Sequence, residues 1–489
     1  MKTKLHQSIL LLSSLLILCL PVTNAQTEAE QIDQLLSQYT KYEQFNGSAL
    51  VAKNGKVIFK KGYGMANMEW DIPNETDTKH RIASITKQFT CMRIMQLVQE
   101  GKLDLKTPIS TYLSDYPKET ADKINLHHLM THTSGIPNYT SFPGFFENIS
   151  RDPSTPTDFL KTFSDSTLNF TPGEKFAYSN SGYFLLGVII EEVTGKSYEQ
   201  NLQEHIFEPL GMNNSGFDSH AKLLKKRATG YSYDGVGYSN SPYLDMTVPY
   251  AAGSLYSTVE DLYLWDQGLY NHKILSPKYS EMMFSKYIPE WSGAHYGYGW
   301  IIGSVPVGTS EDTVSMIRHS GGINGFNTLI TRMPEDKNLV VLLNNTGGAD
   351  LEGITANING ILHNKSYEMP KRSLAKAVMQ KISTENLDAG LKFIEKYKSD
   401  DTYKLSEGEF NNLGYMLMRD GDVKGAIAIF KINVAEFPES SNVYDSLGEA
   451  YLADGQKKLA VKNYKKAVEM DPKNENGKTI LEQLRKEMK

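Results

Sequence analysis

The chain has 489 residues, 40% of them hydrophobic and 22% charged, and a formal net charge of −6. At roughly 100–200 residues per domain, that length excludes a single small module, and the composition excludes both wholesale disorder and a multi-span membrane protein. The charge becomes −8 if Lys2 and Lys4 leave with an N-terminal leader, which excludes binding to a nucleic-acid backbone, since that needs a basic face.

Taken in chain order, Lys2 and Lys4, an apolar run from Ile9 to Leu20 and the small-residue site Thr23-Asn24-Ala25 read as a secretory signal over residues 1–25. The run is too short to span a bilayer, so the mature chain is expected to be periplasmic or secreted, with no integral membrane span. Cys19 follows Leu18 and lacks the small neighbour of a lipoprotein site. Cys91 alone cannot form an internal disulfide and reads as a buried apolar residue. Asn54-Gly55 between the apolar runs 48–52 and 57–59 predicts a β-hairpin over 47–63. Phe89, Met92, Met95 and Val98 predict a helix over 84–99 that stops at Gly101, and a second helix is expected over 183–192, ended by Gly195. The Tyr-, Gly-, Ser- and Asn-rich stretch 232–249 predicts a long loop. Ala252-Gly253-Ser254 reads as a loop with a possible cleft contact, and Thr258 as the N-cap of a following helix. Strand patterns return at 298–302, 327–331 and 339–343, and the aromatic run from Tyr296 to Trp300 reads as a strand on the core. Strands at both ends of a helical middle predict an α+β domain over 26–370 whose sheet is assembled from distant segments.

Beyond residue 370 the character changes. Residues 371–489 carry a net +2 against −10 for 26–370, and strand patterns cease. Leu413, Gly414, Ala426, Phe430 and Pro438 recur 34 positions later as Leu447, Gly448, Ala460, Tyr464 and Pro472, with Leu417 and Tyr451 in register. This period resembles the tetratricopeptide repeat, a helix–turn–helix unit, and predicts an all-α region. Two repeats are few, so a further helical pair over 374–397 and a closing helix over 479–488 are expected. Such an array offers a face for a protein partner.

Three short motifs carry chemistry. In Ser84-Ile85-Thr86-Lys87, residues three apart share a helix face, so the Lys87 amine can reach the Ser84 hydroxyl and accept its proton if burial lowers its pKa. The bland alternative makes Ser84 an N-cap. The same spacing at Ser219/Lys222 and Ser373/Lys376 is read as accidental. Tyr178-Ser179-Asn180 supplies a phenol, which a nearby ammonium could hold as phenolate, and an amide able to grip a carbonyl. Tyr238-Ser239-Asn240 repeats the tripeptide as loop chemistry. Arg318-His319-Ser320-Gly321-Gly322, just before a strand, offers glycine-freed N–H groups for an oxyanion hole, with His295-Tyr296-Gly297 as its accidental twin.

With Leu129-Met130-Thr131-His132-Thr133-Ser134-Gly135-Ile136-Pro137, these motifs in this order resemble the serine β-lactamases and penicillin-binding proteins, in the branch of class C β-lactamases, D-aminopeptidases and related esterases, over roughly residues 30–365. The resemblance implies an antiparallel sheet flanked by helices with a helical subdomain. It implies Ser84 as nucleophile, Lys87 as its proton acceptor, Tyr178 as the relay to the leaving group and Asn180 as a carbonyl binder. The N–H groups of Ser84 and Gly322 would form the oxyanion hole, with His319 and Gly321 in the substrate-binding motif. Where β-lactamases have lysine this chain has His319, whose neutral imidazole attracts a carboxylate less, so esters, amides or peptide-like substrates are expected over penicillins.

Other chemistries fit less well. His128 and His132 have Leu129 where a zinc protease needs glutamate, so His127, His128 and His132 are expected to make capping and loop hydrogen bonds, with no metal and no cofactor. No Gly-x-Ser-x-Gly occurs. The competing reading is a noncatalytic receptor using the same pocket, with the repeats recruiting a partner. Loops 136–170 and 232–250 are expected to shape the substrate pockets.

Overall fold

The predicted hairpin forms because Asn54 and Gly55 take positive φ, 51° and 75°, and reverse β1 (Gly47–Lys53) into β2 (Lys56–Tyr63). The computed structural model describes residues 26–233 and 237–487, so the leader reading lies outside the described residues. Six later strands complete the sheet: β3 (Ile288–Pro289), β4 (His295–Tyr296), β5 (Ile301–Pro306), β6 (Thr313–Ile323), β7 (Phe326–Met333) and β8 (Asn338–Asn344). Their order is β3-β4-β5-β6-β7-β8-β1-β2, antiparallel throughout. The first and last parts of this sheet in the sequence meet where β1 pairs β8, with Gly47 opposite Asn344.

Period-two patterning buries both sheet faces. Ala49, Val51, Val340 and Leu342 point to a layer made by α1 (Glu28–Lys41) and α5 (Leu351–Leu362), through Ile32, Leu35, Leu36, Ile354 and Ile358. Leu50, Ala52, Val341 and Leu343 point to the opposite layer, the helical subdomain containing α2 (Thr86–Gln99), α3 (Asn180–Thr194) and α4 (Val259–Tyr270). Every residue of α2 from Thr86 to Leu97 is buried, more than the one apolar stripe of the sequence predicts, because helices and sheet enclose it on all sides. Gly195 ends α3 at φ 66°, as expected. Thr258 caps α4 by accepting the Asp261 N–H.

Three expectations are corrected. The stretch 232–249 is not all loop: Tyr238–Asn240 pairs with Tyr231–Tyr233. The run from Tyr296 to Trp300 is a strand only at Tyr296, in β4, because Gly299 at φ 77° turns the chain where any Cβ would meet the Lys87 carbonyl at 2.8 Å. Its rings are nevertheless buried. The third motif lies inside β6, not before a strand, and pairing with β7 overrides the poor strand propensity of its glycines.

From Leu374 on, a separate apolar cluster runs to Leu484, while Tyr367 and Met369 still pack on the sheet's outer layer. Helices α6 (Leu374–Thr384), α7 (Leu387–Tyr397), α8 (Glu407–Arg419), α9 (Val423–Glu436), α10 (Ser441–Ala453), α11 (Lys457–Met470) and α12 (Glu475–Glu487) stack in sequence. A Cβ on Gly414 would stand 2.4 Å from the Phe430 ring, and one on Gly448 3.1 Å from Tyr464, so these glycines let the paired helices touch. Strand structure does not cease entirely, for Arg372–Ser373 makes a short parallel pairing with Tyr403–Lys404.

Candidate active site

Ala83 takes φ 48° and starts a 3₁₀ turn, Ala83–Ile85, that leads directly into α2. Ser84 caps nothing: Ile85 is the residue preceding α2, and no side chain caps that end. One turn on, the wholly buried Lys87 places Nζ 3.0 Å from Ser84 Oγ, 2.9 Å from Asn180 Oδ1 and 2.8 Å from the Ala252 carbonyl. None of these neighbours is a carboxylate, so burial holds the ammonium well below the usual lysine range, only partly offset by Cys91. Once it gives up a proton, the amine keeps two N–H bonds for the Asn180 and Ala252 oxygens, and its lone pair would face the Ser84 hydroxyl.

Tyr178 lines the same cavity as Ser84. Burial pushes this phenol far above its ordinary range, which corrects the expectation of a phenolate: the resting group is a neutral O–H. Lys87 Nζ lies 4.9 Å from the ring centroid, and the His132 imidazole packs on the ring at 4.1 Å. His132 itself takes φ 58° and accepts the Ser179 N–H on Nδ1 at 3.1 Å, an acceptor role that burial enforces by holding its pKa well down. It therefore fixes both Tyr178 and the backbone beside it. His127 bonds the Tyr298 hydroxyl at 2.8 Å.

Asn180 opens α3, and with Oδ1 on Lys87 its Nδ2 donors are the end left for a carbonyl. His319 is buried, and desolvation with the nearby Lys87 pushes its pKa down to about 3. Nδ1–H donates to the Ser320 carbonyl at 2.6 Å, which makes Nε2 the acceptor for the Tyr296 hydroxyl at 2.9 Å. Tyr296, in the motif's dismissed twin, thus belongs to the site. A Cβ on Gly321 would stand 2.2 Å from the Ile82 carbonyl, so glycine alone lets β6 lie against the Ser84 turn. The β5 pairing ends at Arg318, leaving the β6 edge beyond it open on that side.

That open edge borders a cavity of about 430 Å³ containing Ser84, Tyr178, Tyr296, His319 and Gly322. Its remaining wall comes from Phe176, residues 290–292, Ile301, Arg318, Ser320 and Glu352, not from loops 136–170 or 232–250. The other two Ser-x-x-Lys matches lie elsewhere. Ser373 caps α6 and donates to Glu409, while Lys376 sits 4.2 Å over the Tyr233 ring. Lys222 pairs with Glu199. Only at Ser84 does a buried, carboxylate-free lysine face the hydroxyl.

An antiparallel sheet covered by helices, with a Ser-x-x-Lys turn set against an open strand edge, defines the class of serine hydrolases with the β-lactamase fold. The chain belongs to the beta-lactamase family, whose model matches residues 32–364, and a tetratricopeptide-repeat model matches residues 441–474. It is 30% identical over 333 residues to the teichoic acid D-alanine hydrolase of Staphylococcus aureus (strain MRSA252), covering 68% of this chain and 78% of that one. The octameric penicillin-binding protein homologue from Pyrococcus abyssi is 31% identical, with a TM-score of 0.61 over 72% of this chain and 81% of its own. The D-amino acid amidase of Ochrobactrum anthropi SV3 is 26% identical, with a TM-score of 0.57 over 75% and 98%. The chain is a hydrolytic enzyme of this family, a serine hydrolase. Among the described residues, no helix is long and apolar enough to cross a membrane.

Proposed function

We propose that this enzyme acts outside the cytoplasm and hydrolyses esters or amides, peptide-like ones included, through an acyl-enzyme on Ser84, with weak or no turnover of β-lactams. Ser84 Oγ attacks the acyl carbon as its proton passes to Lys87. The Ser84 and Gly322 N–H groups hold the oxyanion, and Asn180 steadies the substrate. Tyr178 gives its proton to the leaving group and recovers one through Ser84 and Lys87; water then releases the acyl group by the same steps in reverse.

The observation that carries this reading is the Lys87 amine, buried without a carboxylate, 3.0 Å from Ser84 Oγ. The preference against β-lactams rests on His319, which is neutral and already committed to Tyr296 and Ser320. Likeness to enzymes named for D-alanine and D-amino acid amide chemistry supports an ester or amide substrate. Residues 26–370 and 371–489 are read as separable units, the second a docking module for a protein partner, supported by its own apolar cluster. A fluorophosphonate should label the wild type and spare Ser84→Ala, after which a panel of esters, D-amino acid amides and β-lactams ranks the substrates. Equal labelling of both proteins contradicts the nucleophile assignment.

A further inference from the structure

The hairpin of β3 and β4 brings an acidic side chain to the catalytic cavity. Glu290 N–H bonds the Ala294 carbonyl at 2.9 Å, and Gly293 turns the tip at φ 84°. The Glu290 side chain is 7% exposed and borders the same cavity as Ser84. Its carboxylate takes the Ser292 N–H at 3.1 Å on one oxygen and the Ser292 hydroxyl on the other. A carboxylate offers about four acceptor positions, so two neutral donors from one serine leave it half satisfied. Among the described residues, no lysine, arginine or histidine forms an ion pair with it.

Charge around the cavity gives this a direction. Three ionisable carboxylate or guanidinium groups border it, Glu290, Arg318 and Glu352. Arg318 Nη1 and Glu352 Oε1 pair at 2.5 Å and cancel, while burial disfavours the charged forms of Lys87 and His319. Among the described residues, Glu290 is thus the one carboxylate bordering the cavity without an ion-pair partner, and it shares that cavity with Tyr296, whose hydroxyl bonds His319. Trp291 lies at the rim, 5.1 Å from the Phe176 ring and 6.0 Å from that of Tyr178.

We propose that Glu290 anchors a positively charged α-amino group on the acyl portion of the substrate, so that the preferred substrates are aminoacyl esters and amides with a free amine. This deepens, and rests on, the ester- and amide-hydrolase reading above. A free ammonium donates up to three hydrogen bonds and fills the open acceptor positions of Glu290, while a penicillin carboxylate in the same cavity meets repulsion.

The test compares alanine p-nitroanilide, in both configurations, with its N-acetyl counterpart, in the full-length protein, with p-nitrophenyl acetate turnover and fluorophosphonate labelling as controls. In the wild type, kcat/KM for the better free-amine configuration should exceed that of its acetylated partner by about 10- to 100-fold, the scale of one hydrogen-bonded charge pair. Glu290→Gln should bring that ratio toward one, mainly through KM, and Glu290→Asp should fall between. A wild-type ratio at or below one overturns the proposal, as does a ratio that Glu290→Gln leaves intact. Both outcomes are read in a protein that still turns over p-nitrophenyl acetate. Should the wild type neither label nor cleave any ester or anilide, the hydrolase reading itself fails and takes the proposal with it.

Discussion

Gly321→Ala tests whether the Ser84 turn is positioned by direct contact with β6. A Cβ there would stand 2.2 Å from the Ile82 carbonyl, 2.6 Å from Thr328 Oγ1 and 3.1 Å from Ala83 Cβ. Carbon and carbonyl oxygen pack no closer than about 3.2 Å, so turn and strand must part by about 1 Å. Thr328 cannot yield alone, since its hydroxyl donates to the same Ile82 carbonyl at 3.0 Å. A 1 Å displacement between nucleophile and oxyanion donors is expected to lower kcat by about 100-fold, with about 1–3 kcal/mol of destabilisation from overpacking. Gly322→Ala is the contrast: nothing lies within 4 Å of its Cβ, so the added methyl enters the cavity and should raise KM instead of distorting the backbone. Steady-state kinetics on a p-nitrophenyl ester, with thermal melts of both variants, separates the two signatures. A Gly321→Ala enzyme within threefold of wild-type kcat and unchanged in Tm would refute the reasoning.

Ser84→Ala should lower the rate at least about a thousandfold while leaving the fold intact; Lys87→Ala and Tyr178→Phe should fall nearly as far, without additive loss when combined. Activity within tenfold of wild type in a folded Ser84→Ala protein contradicts the assignment. The pH profile of kcat/KM should fall on the acid side as Lys87 takes a proton, at a pH well below the ordinary lysine range, while His319, at about 3, contributes no limb near neutrality; a profile that rises only above about pH 10 removes the depressed lysine. His319→Lys should shift preference toward carboxylate-bearing substrates, and cephalosporin hydrolysis by the wild type that matches its best ester would overturn the role given to the neutral imidazole. A chain ending near Tyr367 should keep most small-substrate turnover and lose any copurifying partner, whereas abolished turnover in a folded, monomeric product counts the repeats into the active unit.

What the sequence made legible is what depends on local spacing. Ser84 and Lys87 share a helix face by their three-residue separation, Asn54-Gly55 states its own turn, and the 34-residue recurrence of Gly414 and Phe430 marks helices that must touch. The rest depends on contacts between distant segments. β6 escapes because Gly321 and Gly322 have no strand preference of their own, and the register with β7 imposes it. His132 reads as a residue of capping and loop hydrogen bonds until the fold stacks it on Tyr178, and Tyr296 reads as chance until β4 brings it to His319. The Ala252 carbonyl that completes the Lys87 environment carries no side-chain signal at all. Glu290 lies on a two-residue strand's turn, too short for periodicity to mark.

One physical cause, burial without a countercharge, separates the two titrating groups beside Ser84. It lowers Lys87 and raises Tyr178, the directions that suit an amine to accept a proton and a phenol to give one. Their consequences for stability differ. Between its depressed folded pKa and the unfolded value near 10.5, Lys87 binds fewer protons folded than unfolded, so its contribution to stability rises with pH across that window. At neutral pH it therefore subtracts from stability. Tyr178 is neutral in both states there and subtracts nothing. An apolar residue at position 87 would remove the Lys87 cost and with it the base, and the carboxylate that could remove it by pairing would restore the ammonium. The destabilised lysine and the reactive serine are thus one feature, and the enclosure of α2 on every side is what sustains both.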